Sequence, residues 1–210
     1  PRTLALTVYG DLSLSVIDEL PPGRKAIKTY FIKPQQRQRL YQFIYEQVHN
    51  KAQAYIVCPL VEESEKQDLQ AAVSLYEELK SRVFPKFNIG LIHGRLKPSE
   101  KDMVMQMFKQ GNIKILVSTS VIEVGVDVPN ASIMVIEQAE RFGLSQLHQL
   151  RGRVGRGHKQ SYCFLIADPR TEEAVSRLQA MEKTNDGFEL AEEDLRIRGP
   201  GEFWGVRQHG

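Results

Sequence analysis

Apolar residues along this chain follow two alternating patterns. Short apolar runs occur at Ile27–Ile32, Ala54–Leu60, Asn88–Ile92, Ile113–Ser118, Ser132–Glu137 and Ser161–Ala167. They have strand length and little polar alternation, as strands covered on both faces do. Between them lie stretches with helical spacing. Leu40, Phe43, Ile44 and Val48 follow Pro34 at a helix N1 position, and Leu69, Ala72, Val73, Tyr76, Leu79 and Val83 mark a second helix. Met103, Met107 and Phe108 mark a third, opened by Pro98 and stopped at Gly111, and two more span Ser145–Arg151 and Thr171–Lys183. This rhythm predicts an α/β fold, a parallel sheet with helices on both faces, whose ligands gather beyond the C-terminal ends of the strands. Two segments break the rhythm. Leu4–Leu20 is mixed and ends at Pro21-Pro22-Gly23; Thr184–Gly210 holds one short charged helix, Phe188–Ile197, then Gly199-Pro200-Gly201 and a loop through Trp204, an expected appendage on the α/β unit. Trp204, beside Phe203, reads first as a core anchor and second as a stacking surface.

Composition narrows the class. With 210 residues, 41% hydrophobic and 26% charged, the chain is globular and not a disordered tail. No apolar run reaches the ~18 residues of a membrane span, and Pro1–Asp11 lacks the layout of a signal peptide. The opening Pro1-Arg2-Thr3, without Met, reads as an excised piece of a longer protein. Cys58 and Cys163, each inside an apolar run, read as buried free thiols of a reducing cytoplasm. The net charge of +2 hides an uneven distribution: Pro21–Lys51 holds seven Lys/Arg against one acid, Arg141–Lys159 five against none, and Val61–Leu79 six acids against one Lys. Basic blocks separated by an acidic one suggest localised anion contacts, although solvated faces would look the same.

The densest chemistry lies in Gln149-Leu150-Arg151-Gly152-Arg153-Val154-Gly155-Arg156. Gly152 and Gly155 let the backbone approach a ligand closely, and guanidinium groups suit phosphate oxygens. Gln149, Arg153 and Arg156, spaced four and three apart, share a face if the backbone there is helical. Two Gly-Arg units alone would equally fit a helix end that binds any phosphate or pairs with acids. Gly152…Gly157-His158-Lys159 is no Walker A, because His158 intervenes before the Lys, and no Asp-Glu-x-His/Asp motif is present. His49, His93, His148, His158 and His209 lack metal-ligand spacing, so no metal site is expected in this chain.

The octet resembles the QxxGRxGR sixth motif of superfamily 2 helicases. Leu116–Pro129, with Thr119-Ser120 and Gly125-Val126-Asp127, resembles their fifth motif, and Ile92-His93-Gly94-Arg95 with Phe108 and Gly111 resembles the segment between the fourth and fifth. Pro1-Arg2-Thr3-Leu4-Ala5-Leu6 resembles the tail of the third motif. Within the superfamily, Gly10–Ser13, Val16–Arg24 and Ile56–Ser64 resemble the RecG family of branched-DNA translocases. Asp194–Phe203 and Gly205–Gln208 resemble the translocation motif that this family shares with the transcription-repair coupling factor Mfd.

The resemblance implies a second RecA-like motor domain over 25–183, preceded by the end of motif III and a linker over 1–24. A helical hairpin with a hook-like loop would follow over 184–210, the hairpin beginning as early as 170. It implies an ATP-dependent DNA helicase that hydrolyses ATP only in the full-length protein and remodels stalled forks and Holliday-type junctions in recombination and repair. Arg153 and Arg156 would reach the γ-phosphate of ATP, with Arg156 as arginine finger and Gln149 linking nucleotide site to DNA track. Gly125 and Asp127 would line the nucleotide edge. Arg2, His93, Gly94, Arg95, Thr119 and Ser120 would contact the DNA backbone, and Arg177, Arg198 and Gln208 would tie hairpin to hook. Implied partners are ATP with Mg2+ held by the first motor domain, branched double-stranded DNA, the N-terminal motor and wedge domains of the same chain, and single-strand-binding protein, in a bacterial, nucleoid-associated cytoplasmic setting. On this reading the Arg141–Lys159 block faces ATP and the Pro21–Lys51 block faces DNA. An Mfd-like motor and a non-enzymatic phosphate-backbone binding module are the alternatives.

Overall fold

The computed structural model describes residues 25–60, 64–119, 128–157 and 159–198. Six strands form one sheet: β1 (Lys28–Ile32), β2 (Gln53–Cys58), β3 (Ile89–Ile92), β4 (Ile115–Thr119), β5 (Ala131–Ile136) and β6 (Tyr162–Ile166). Their order is β1-β6-β5-β2-β4-β3, and every pairing is parallel. The helices are α1 (Arg37–His49), α2 (Glu65–Glu78), α3 (Pro98–Lys109), α4 (Leu144–Arg151), α5 (Glu172–Lys183) and α6 (Gly187–Arg198).

Successive side chains of a strand point to opposite faces, and the apolar runs sort accordingly into two cores. Tyr55, Val57, Leu116, Met134, Ile136, Cys163 and Leu165 meet α3 through Met105 and Phe108, α4 through Leu144, Leu147 and Leu150, α5 through Leu178 and Met181, and α6 through Leu190. Ala54, Ile56, Cys58, Ile115, Val117, Ile133 and Val135 meet Leu40, Ile44 and Val48 of α1 and Ala72 of α2 on the other face. Both faces being covered, the strands carry no polar alternation. α6 contributes Leu190 to the first core, so the predicted appendage shares the interior of the α/β unit.

Element ends follow local chemistry. The run Ala54–Leu60 stops as a strand at Cys58, because Pro59 has no N–H for the ladder. Pro34 opens a 3-10 turn, Pro34–Gln36, before α1 begins. Pro98 begins α3, where the Glu100 carboxylate accepts the Lys97 N–H at 2.8 Å. The second predicted helix splits into α2 and a π-helical turn, Leu79–Val83, closed by the Phe84 N–H to the Leu79 carbonyl at 2.7 Å. Thr171 caps α5, its hydroxyl accepting the Ala174 N–H at 3.2 Å.

Candidate functional site

The sixth-motif residues lie where α4 ends. The helix stops at Arg151, and the Gly152, Arg153 and Val154 N–H groups close a tight turn onto the carbonyls of His148, Leu150 and Arg151. Gly155 then turns left-handed at φ +82°, where a Cβ would lie 3.0 Å from Ile27. At Gly157 a Cβ would run into the Pro129 carbonyl oxygen. Ile27 precedes β1 and Pro129 precedes β5, so this loop is pressed against the N-terminal edge of the sheet. Gln149 and Arg156 are exposed, and Arg153 is half-buried.

Two expectations change here. The helix ends before Arg153, so a shared helical face for Gln149, Arg153 and Arg156 does not form; Gly155 takes a left-handed conformation between the two arginines. The arginines also sit at the edge opposite to the one predicted for ligands. The reason is topological: α4 starts beyond the C-terminal end of β5 and runs back along the sheet, delivering its last residues to the start of β6.

Thr119 of the fifth motif and the intermediate-motif residues His93, Gly94 and Arg95 occupy the other edge. His93 follows β3, its imidazole half-buried and its pKa lowered, mainly by burial and then by Lys101 and Arg95. Its carbonyl accepts the Leu96 N–H at 3.2 Å. Gly94 has open space where a Cβ would stand. Arg95 makes an exposed pair with Glu65 at 3.6 Å. Thr119 ends β4 and is 1% exposed, so its hydroxyl is inside the fold in this arrangement. Arg2, Ser120, Gly125, Asp127, Trp204 and Gln208 lie outside the described residues.

The charged blocks prove to be divided. Arg141 grips Asp68 with both terminal nitrogens, at 2.7 and 2.9 Å, and also reaches Ser64 and Gln138. Arg37 pairs with buried Glu137 at 2.7 Å beyond the end of β5, and burial raises the Glu137 carboxyl pKa against the opposing pull of Arg37. Lys159 donates to the Asn50 carbonyl at 3.1 Å. Arg141, Arg151, Arg153, Arg156 and Lys159 therefore do not form one surface. Cys58 and Cys163 are free and buried, as expected, and burial pushes both thiols up to about 12.

Sequence reading singled out Arg177 and overlooked Arg151. Arg177 of α5 donates to the Glu140 carbonyl at 3.2 Å, bracing the segment that leads into α4. Arg198 is the final residue of α6. Arg151 is 2% exposed and donates to the Met181 carbonyl at 2.8 Å, the Thr184 carbonyl at 2.9 Å and the Thr29 hydroxyl at 3.4 Å. Its other nitrogen meets His148 Nδ1 at 3.1 Å. An arginine can only donate, so Nδ1 accepts and the imidazole proton resides on Nε2. Burial, then the Arg151 charge, lowers the His148 pKa. A signal for Arg151 was present: with Leu144 and Leu147 it falls at i, i+3, i+7, on the apolar stripe of α4.

A six-stranded parallel sheet carrying paired Gly-Arg steps at one edge and a His-Gly-Arg turn at the other defines a RecA-like helicase domain. The chain belongs to the helicase conserved C-terminal domain family, whose model matches residues 35–158. Over all of its length it is 55% identical to the ATP-dependent DNA helicase RecG of Bacillus subtilis, 57% to that of Synechocystis and 55% to that of Thermotoga maritima. It spans 31%, 25% and 27% of those relatives, so it corresponds to about a quarter to a third of each. Among solved structures it resembles RecG bound to a three-way DNA junction, with a TM-score of 0.78 and 51% identity over 97% of this chain and 26% of that one. The second domain of the DEAD-box helicase Mss116p shares the fold at 20% identity, with a TM-score of 0.58 over 80% of this chain and 68% of that one.

Proposed function

We propose that this chain is the second motor domain, with translocation hairpin, of an ATP-driven double-stranded DNA translocase that remodels branched DNA such as stalled forks and Holliday junctions. The observation that carries this reading is the placement of Arg153 and Arg156 at one edge of the sheet and of His93, Gly94 and Arg95 at the opposite edge. A motor needs its nucleotide and its DNA track to engage different ends of a rigid body, so that a shift at one end displaces the other.

At the N-terminal edge, Arg153 and Arg156 offer planar donors suited to phosphate oxygens and to charge developing on a transferred phosphoryl group. The sequence carries Gly125 and Asp127 just ahead of Pro129, on which Gly157 packs, which supports a common nucleotide edge. Bound ATP would supply the phosphoryl bond whose cleavage drives the motor, with Mg2+ held by a first motor domain. At the C-terminal edge, the open space at Gly94 and the exposed guanidinium of Arg95 support backbone contacts to DNA that track a strand without reading bases. Arg2 and Ser120 are assigned there by motif alone, and Thr119 would act through its backbone. Arg177, Arg198 and Gln208 would link the hairpin to a DNA-pulling loop. A bacterial cytoplasmic setting goes with these roles, as does a partnership with single-strand-binding protein; among the described residues no helix is long and apolar enough to cross a membrane.

The test is Arg156→Ala in the full-length protein. An arginine finger contributes about a thousandfold or more to turnover, so DNA-stimulated ATP hydrolysis should be abolished while DNA affinity is largely kept. Turnover within about tenfold of the parent would remove Arg156 from that role.

A further inference from the structure

Arg151 stands two residues before the half-buried Arg153, yet its own side chain is enclosed in the fold. Its burial is compensated by carbonyl oxygens in place of a carboxylate: that of Met181, in the last turn of α5, where helix carbonyls lack intrahelical partners and carry partial negative charge, and that of Thr184, the extended residue that follows the helix. Thr29 of β1 completes the set with His148 of α4. One guanidinium thus joins the end of α4, the end of α5 and the edge strand.

The connection continues into α6. Only three residues, 184–186, separate α5 from α6. Thr184 Oγ1 accepts the Asp186 N–H at 3.0 Å, and the Asp186 carboxylate accepts the Phe188 N–H at 2.7 Å. The first residue of α6, Gly187, lies against the His148 ring so closely that a Cβ would be 3.1 Å from Nε2. On the other side, the hydrogen-bonded turn at 152–154 and the wholly buried Val154 leave little slack between Arg151 and the loop that bears Arg153 and Arg156.

We infer that Arg151 is a positioning residue: it locks the turn between α5 and α6 to the base of the arginine loop, so that displacement of that loop moves the hairpin as one body. The inference rests on the motor reading and adds a residue to it. Arg151 touches neither nucleotide nor DNA in this role. The arginine loop retains its own anchors at Val154, Gly155 and Gly157, so hydrolysis does not depend on the strut.

The experiment uses the full-length protein with a three-way DNA junction, and measures ATP hydrolysed and junction unwound in the same reaction. Arg151→Met keeps bulk and removes the donors; Arg151→Lys restores charge and donors to the carbonyls. Gly187→Ala presses a methyl group against the His148 ring, at 3.1 Å from Nε2, without touching Arg151, and serves if Arg151→Met does not fold by circular dichroism. Arg151→Met and Gly187→Ala should keep DNA-stimulated ATP hydrolysis within about threefold and lower junctions unwound per ATP by about tenfold, with Arg151→Lys recovering part of the loss. Unchanged unwinding per ATP in the folded variants, or the same proportional fall in both activities, would overturn the assignment while leaving the motor reading intact. A parent protein without DNA-dependent hydrolysis would overturn both.

Discussion

At the scale of single residues, charge is handled by enclosure. Arg37 and Arg141 hold buried carboxylates, and Arg151 is spent on carbonyls, so the residues that look alike in a basic block serve different surfaces. The block was legible in the sequence; its division was not, because which arginine faces inward depends on where the neighbouring helix ends. His148 makes the point testable. Its folded pKa lies below the ordinary 6.5, so the unfolded chain takes up the proton more readily. The stabilisation is fully present above the unfolded value and is lost as pH falls through the folded one. Thermal unfolding of this chain should therefore shift to lower temperature between about pH 7.5 and pH 5.5. His148→Asn, whose side-chain oxygen can still accept from Arg151, should shift less. Equal shifts in parent and variant would exclude His148 as a contributor; the remaining dependence falls partly to His93, whose pKa is lowered as well.

Among elements, the strands were readable because double coverage leaves a continuous apolar run, and the helices because each buries one stripe. Boundaries were less so. Pro59 ends β2 by its missing N–H, a local effect that the apolar run Ala54–Leu60 conceals, and the π-helical turn at Leu79–Val83 has no marker in the spacing of Leu79 and Val83. Gln53 was missed altogether, lying just before the apolar part of β2. It is 1% exposed, and its amide donates to the Phe108 carbonyl at 2.5 Å and the Ile113 carbonyl at 2.8 Å, fastening the end of α3 and the approach to β4 onto β2. Gln53→Leu would leave those carbonyls buried without that donor, so the chain should lose about 1–3 kcal/mol of stability. Chemical denaturation would report this as a lower midpoint at unchanged slope; an unchanged midpoint would mean that the amide contributes nothing.

For the molecule as a whole, the sheet acts as a rigid plate with unlike edges. The parallel arrangement puts every strand end of one polarity on the same side, and the crossover helices carry the chain back to the other. One consequence concerns the 210 residues taken alone. They contain paired arginines but no Walker A motif, so the isolated chain is expected to release no phosphate from ATP, with or without DNA, in a continuous phosphate-release assay. Measurable DNA-stimulated release from a homogeneous preparation would show that the chain completes a nucleotide site unaided.

The sequence by itself determined the α/β class, the order of strands and helices, the two buried thiols and the resemblance of the octet Gln149–Arg156 to a helicase motif. These depend on residue type and short-range spacing, which a linear chain displays. Only the tertiary structure decided the edge to which each motif belongs, the outward course of Arg156 and the inward one of Arg151. Those outcomes depend on helix length and crossover direction: α4 ends at Arg151, Gly155 turns left-handed, and the end of α5 presents its carbonyls where Arg151 arrives. The net charge of +2 is, in space, the remainder left after acids inside the fold hold part of the basic set, while Arg156 reaches the surface at one edge and Arg95 at the other.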